Sequence, residues 1–152
     1  MILKNRNPKN RVPLRKIRSL LCNILRELGI PKADLDVSFV DDRAIRLLNR
    51  KFRGIDRATD VLSFPLWEKI EAFRDGRFLG DVVLSIPTVK RQAKEFGRPF
   101  LEEMTFLLIH GTLHLLGYDH EGNEKEARRM QRMEKKLMKK LKDSVSSPRR
   151  RG

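Results

Sequence analysis

A chain of 152 residues and 17.8 kDa has the length of one ordinary domain, able to bury about 68–70% of its unfolded surface. With 39% hydrophobic and 36% charged residues it can build a core beneath a heavily charged surface, and its longest apolar run, Phe106–Ile109, is far short of the roughly 20 residues of a membrane span. The single cysteine, Cys22, rules out an intramolecular disulfide, and MILKNRNPKNR has no apolar run behind its positive charge; a cytoplasmic protein is expected, not a secreted, membrane-spanning or collagen-like one.

Val12-Pro13 opens a helix, with Pro at the first turn, where its missing N–H costs nothing. Leu14, Ile17, Leu20, Leu21, Ile24, Leu25 and Leu28 continue it at helical spacing until Gly29. Val37–Val40 reads as a short strand after Pro31. Asp41 or Asp42 can cap a second helix carrying Ile45, Leu48 and Phe52. Arg53 to Arg57 is a turn-rich loop, and Val61–Phe64 is a strand ended by Pro65. Residues 67–76 read as an exposed connection turning at Asp75-Gly76, followed by the buried strand Phe78–Ile86. Ser85 or Pro87 starts a short helix reaching Gly97. Pro99 starts a strongly apolar helix to Leu116 with Gly117 as its stop, and Asn123 caps a last helix with Met130, Met133, Leu137 and Leu141 on one side.

This order implies an α+β (α/β) single domain, residues 1–143: a small mixed sheet, taken as four-stranded although only three strands are placed, covered by five to six helices. Residues 144–152, SVSSPRRRG, read as a basic, disordered tail.

The net charge of +14 is unevenly placed. Residues 1–18 carry +7, residues 125–152 carry +9, and the middle of the chain carries −2. A nearly neutral body with two basic ends attracts polyanions, and nucleic acid is the usual one in a cytosol.

All three histidines fall within eleven residues: His110, His114 and His120. The first two, four apart on an apolar helix, emerge on one face one turn apart. That spacing lets both reach a single Zn²⁺ at about 2.0–2.1 Å, and Gly117 can release the chain so that His120 returns as a third ligand. Three neutral imidazoles leave the ion's charge uncompensated, so a water in an open fourth position is acidified to a pKa of about 7. The helix is thus zincin-like, with the spacing of the metzincin proteases. Those need Glu beside the first His, and here Gly111 stands there, which makes a metalloprotease the less favoured use of the same His₃ site.

The run His110-Gly-Thr-Leu-His-Leu-Leu-Gly-Tyr-Asp-His120 resembles the signature of the YbeY family, zinc-dependent endoribonucleases of bacterial rRNA maturation. Arg53-Gly54, Thr59-Asp-Val-Leu-Ser-Phe-Pro65 and Gly80-Asp-Val-Val-Leu-Ser85 also fit, so the resemblance spans roughly residues 37–135 in matching order. It implies one zinc per chain on His110, His114 and His120 and no small-molecule cofactor. It also implies cleavage of single-stranded RNA, in maturation of the 16S rRNA 3′ end and ribosome quality control, with RNA and the ribosomal subunit as partners and no membrane. The family's functional arginine carries over to Arg53, which with His114 is the catalytic expectation.

Arg53 has its own physical case, since a guanidinium offers permanent, bidentate donors to a phosphate. Asp60, Asp81 and Asp119 are candidates for orienting an imidazole through its second nitrogen or for accepting a proton. Asp119 is equally suited to cap the turn, and Thr59-Asp60 to order its loop. Trp67 suits either a base stack or a loop anchor. A ribosome-associated binding protein with a structural metal is the non-enzyme alternative.

Overall fold

The computed structural model describes residues 1–119 and 122–142. Its sheet contains β1 (Ile2–Asn5), β2 (Asp34–Val40), β3 (Val61–Pro65) and β4 (Phe78–Ser85), in the order β1-β2-β4-β3. β1 and β4 each run parallel to β2, while β3 runs antiparallel to β4. Five helices accompany it: α1 (Leu14–Glu27), α2 (Asp42–Arg53), α3 (Ile86–Glu95), α4 (Phe100–Leu115) and α5 (Glu124–Lys140). A 3₁₀ turn at Ile70–Ala72 sits in the connection read from sequence as plain loop. The architecture is the expected α+β class with a mixed four-stranded sheet.

The strand that sequence did not place is β1. It buries one side chain, Leu3, and lies inside the basic run 1–18, where the sequence reading placed no strand. Its order comes from the free edge of β2, where Ile2 to Asn5 pair with Asp36 to Phe39.

Local chemistry sets the boundaries. Asp41, not Asp42, caps α2: its carboxylate accepts the Ala44 N–H at 2.8 Å. Asp42 sits in the first turn and instead accepts from Ser85 Oγ and Thr88 Oγ1, both at 2.6 Å, and from Arg91 Nη2 at 2.8 Å, tying α2 to the start of α3. Burial pushes the Asp42 carboxyl up, but these donors outweigh it and hold the group below its usual value. Asn123 caps α5 by accepting from Glu126 N at 2.8 Å.

Strand alternation assigns two faces. Val37, Val82 and Ser63 stand in one row across β2, β4 and β3, and Asp36, Asp81 and Phe64 in the next. The first row faces α4, which crosses so closely that a Cβ on Gly111 would lie 2.8 Å from Val82 Cγ1. Ser63 Oγ donates to Gly111 O at 2.9 Å and fixes that crossing. The second face is covered by α2 through Ile45 and Leu48 against Val40, Leu62 and Val83. β4 therefore faces apolar side chains on both sides along Val82–Leu84, which accounts for the apolar run there.

α4 is the central element. Met104, Leu107, Leu108, Ile109, Leu113 and Leu115 are all buried, because α4 packs on the sheet and on α1, α3 and α5. Each such side chain contributes about 1.5–3 kcal/mol of burial, so the helix that carries His110 and His114 is among the most firmly held parts of the molecule.

Candidate active site

Gly111 faces the sheet, so His110 and His114 project from another side of α4. Their rings meet edge to face with centroids 4.7 Å apart, and the two Nε2 atoms approach to 3.2 Å. Two nitrogens bound at about 2.0–2.1 Å to one tetrahedral ion would stand about 3.3 Å apart. The pair therefore has the separation a shared divalent ion requires. His120, the expected third ligand, lies outside the described residues; among the described residues no group of three or more His, Cys, Asp or Glu is arranged to hold a metal.

The other nitrogen of His110 is held from α5. Glu134 Oε2 lies 2.5 Å from His110 Nδ1, with the carboxylate side chain only 9% exposed. A carboxylate accepts, so Nδ1 carries the proton and Nε2 presents its lone pair toward His114. This is the arrangement in which a carboxylate orients and strengthens a metal-binding imidazole. Sequence reading overlooked Glu134. The signal was an acid on the buried stripe of α5, between Met130 and Leu137.

A cleft of about 820 Å³ opens in front of the imidazoles, and Arg53, Arg57, Asp60 and Asp119 line it with them. Arg53 ends α2, and Gly54 then takes a left-handed conformation (φ 71°) that turns the chain toward the cleft. The following loop is held by Asn49, buried on α2: its side-chain Nδ2 donates to Arg57 O at 2.9 Å, and its backbone carbonyl accepts from Ile55 N at 3.3 Å. Arg57, a second cation on the cleft wall, had been read only as part of a turn.

The three aspartates separate. Asp119 lines the cleft beside the histidines. Asp60 also lines it, but its Oδ1 accepts from Val61 N at 2.7 Å and Thr59 Oγ1 at 3.3 Å, so it orders its own loop. Asp81 lies in the row facing away from α4, beside Asp36, and the structure does not bring it to the imidazoles. Burial and then the neighbouring Asp36 charge push its carboxyl up. At position 111, where a metzincin has its Glu, a side chain would run into Val82, Ser63 and Val61. The Gly is there because the sheet leaves no room.

Fold and site together define an α+β domain that presents a carboxylate-held imidazole pair in a cleft with two arginines on its wall. A family model described as Endoribonuclease YbeY matches residues 2–142. The chain is 50% identical over 114 residues to Endoribonuclease YbeY of Persephonella marina, covering 75% of this chain and 74% of that one. It is 40% identical over 150 residues to the Sulfurihydrogenibium protein of the same name, covering 91% and 97%. The solution structure of TM1509 from Thermotoga maritima superposes with a TM-score of 0.60 at 28% identity, over 99% of this chain and 100% of that one. This chain belongs to the Endoribonuclease YbeY family.

Proposed function

We propose that the protein is a cytoplasmic, metal-dependent endoribonuclease acting on single-stranded RNA, in maturation of the 16S rRNA 3′ end and in ribosome quality control. The observation that carries the reading is the 3.2 Å approach of His110 and His114 Nε2, with Glu134 behind His110, in a cleft shared with Arg53.

His110 and His114, with His120, are the residues that would hold one Zn²⁺. Bound there, the ion supplies Lewis acidity toward a phosphoryl oxygen and lowers the pKa of water. The remaining work belongs to the chain. Glu134 keeps His110 in one tautomer and one orientation. Arg53 and Arg57, which line the same cleft, pair with phosphate oxygens and place the strand against the imidazoles. Asp119, beside the histidines, is positioned to accept a proton from water or a sugar hydroxyl. The packed crossing of α4 on the sheet keeps these groups in register as the substrate arrives.

The basic ends supply reach. Lys125, Arg132, Lys135, Lys136 and Lys139 are exposed along α5, and Arg15 and Arg18 on α1. Such cations attract the phosphate backbone of a ribosomal RNA without reading its sequence.

The test compares wild type, His114→Ala and Arg53→Ala in metal analysis and in cleavage of a single-stranded RNA. Loss of metal and cleavage in the first, with loss of cleavage but retained metal in the second, is the expected pattern. Full metal content and full cleavage in His114→Ala would overturn it.

A further inference from the structure

His114 has a cleft on each side. Beyond it and Pro65 lies a second opening of about 590 Å³, walled by the segment between β3 and β4. The two clefts differ in chemistry. The first sets the permanent cations Arg53 and Arg57 beside Asp60 and Asp119; the second carries Glu68 and Glu71 against only Lys69. A phosphodiester finds bidentate donors in the first and a net negative lining in the second.

Ile70 and Leu115 give the second cleft part of an apolar lining, and Gly117 adds only backbone to it. Trp67 is fixed on one wall: its Nε1–H donates to Phe78 O at 2.7 Å, and its ring meets Phe73 edge to face at 6.1 Å. A held aromatic ring, apolar lining residues and two carboxylates match a flat, uncharged heterocycle with N–H donors on its edge. The volume lies within the range of small-ligand pockets, about 300–1,000 Å³.

We propose that this cleft is a nucleobase subsite, receiving the base of the nucleotide that flanks the phosphate lying at His110 and His114. The proposal deepens the endoribonuclease reading and rests on it. Phosphates then track the arginine side, while one base turns across His114 into the second cleft, stacks near Trp67 and donates to Glu68 or Glu71.

Trp67 is the only tryptophan of the chain, so its fluorescence reports on this cleft alone. In stopped flow, a single-stranded RNA octamer should quench it saturably before cleavage, with the midpoint found by anisotropy of the labelled RNA. Inorganic polyphosphate of equal charge should bind and leave the emission unchanged. In turnover, an abasic ribose at one position beside the cut should lower kcat/KM about ten-fold in wild type and less than two-fold in Trp67→Ala. Trp67→Phe, which keeps a ring and guards against misfolding, should retain most of that penalty. RNA that binds without quenching, polyphosphate that quenches as RNA does, or an equal abasic penalty in wild type and Trp67→Ala would overturn the subsite while leaving the nuclease standing. A wild-type protein that neither binds nor cuts any RNA would overturn both.

Discussion

Glu134 does what composition could not announce. It occupies a core position of α5, between Met130 and Leu137, and its burial is compensated by His110 Nδ1. Glu134→Gln, which keeps the shape and removes the charge, should weaken zinc binding by about 10–100-fold in chelator competition, and unchanged affinity would deny Glu134 this positioning role. Gly111→Ala forces a methyl against Val82 Cγ1 at 2.8 Å; it should destabilise the fold by about 1–3 kcal/mol in denaturant unfolding. Asp81 carries the opposite expectation. Its folded pKa is raised by burial and by Asp36, so its ionised form destabilises the fold above the usual carboxylate range and not below it. Asp81→Asn should raise Tm at pH 7, make no difference below about pH 3.5, and leave metal content intact; a loss of metal would place Asp81 in the site after all.

Among the elements, helices were legible because α1 and α5 display apolar stripes at helical period, α4 is apolar over its length, and the caps Asp41 and Asn123 mark two starts. β4 was legible through its apolar run. β1 was not, because a four-residue edge strand with one buried side chain has no period to read. The pairing of His110 with His114 was legible because helical spacing alone puts one beside the other. The partners that arrive across the fold, Glu134 from α5 and Arg57 through Asn49, were not, since no local pattern links them to α4. The same limit hid the Asp42 network that joins α2 to α3. Asp42 has a lowered folded pKa, so its contribution is present above the unfolded carboxylate value and is lost as pH falls through the folded one. Asp42→Asn should therefore lower Tm at pH 7 and flatten the acid limb of the stability curve below about pH 4, as followed by circular dichroism. An unchanged acid limb would show that this junction carries no pH-linked stability.

At the scale of the whole molecule, charge and chemistry occupy different places. The cleft needs only a few cations, while +7 lies in residues 1–18 and +9 in residues 125–152. RNA affinity should accordingly fall with salt, log K against log salt having a slope near −0.7 per phosphate engaged on a single strand. Removing residues 144–152, and with them Arg149, Arg150 and Arg151, should flatten that slope by at most about 2. A salt-independent affinity would remove the polyanion reading of both ends.

X-ray absorption at the zinc edge of the metal-loaded protein bears most directly on the proposed centre. Three imidazole nitrogens at about 2.0–2.1 Å and one further light atom from solvent are expected, with one imidazole lost in His114→Ala. A sulfur ligand, a fourth protein ligand closing the site, or a spectrum unchanged in His114→Ala would contradict the account.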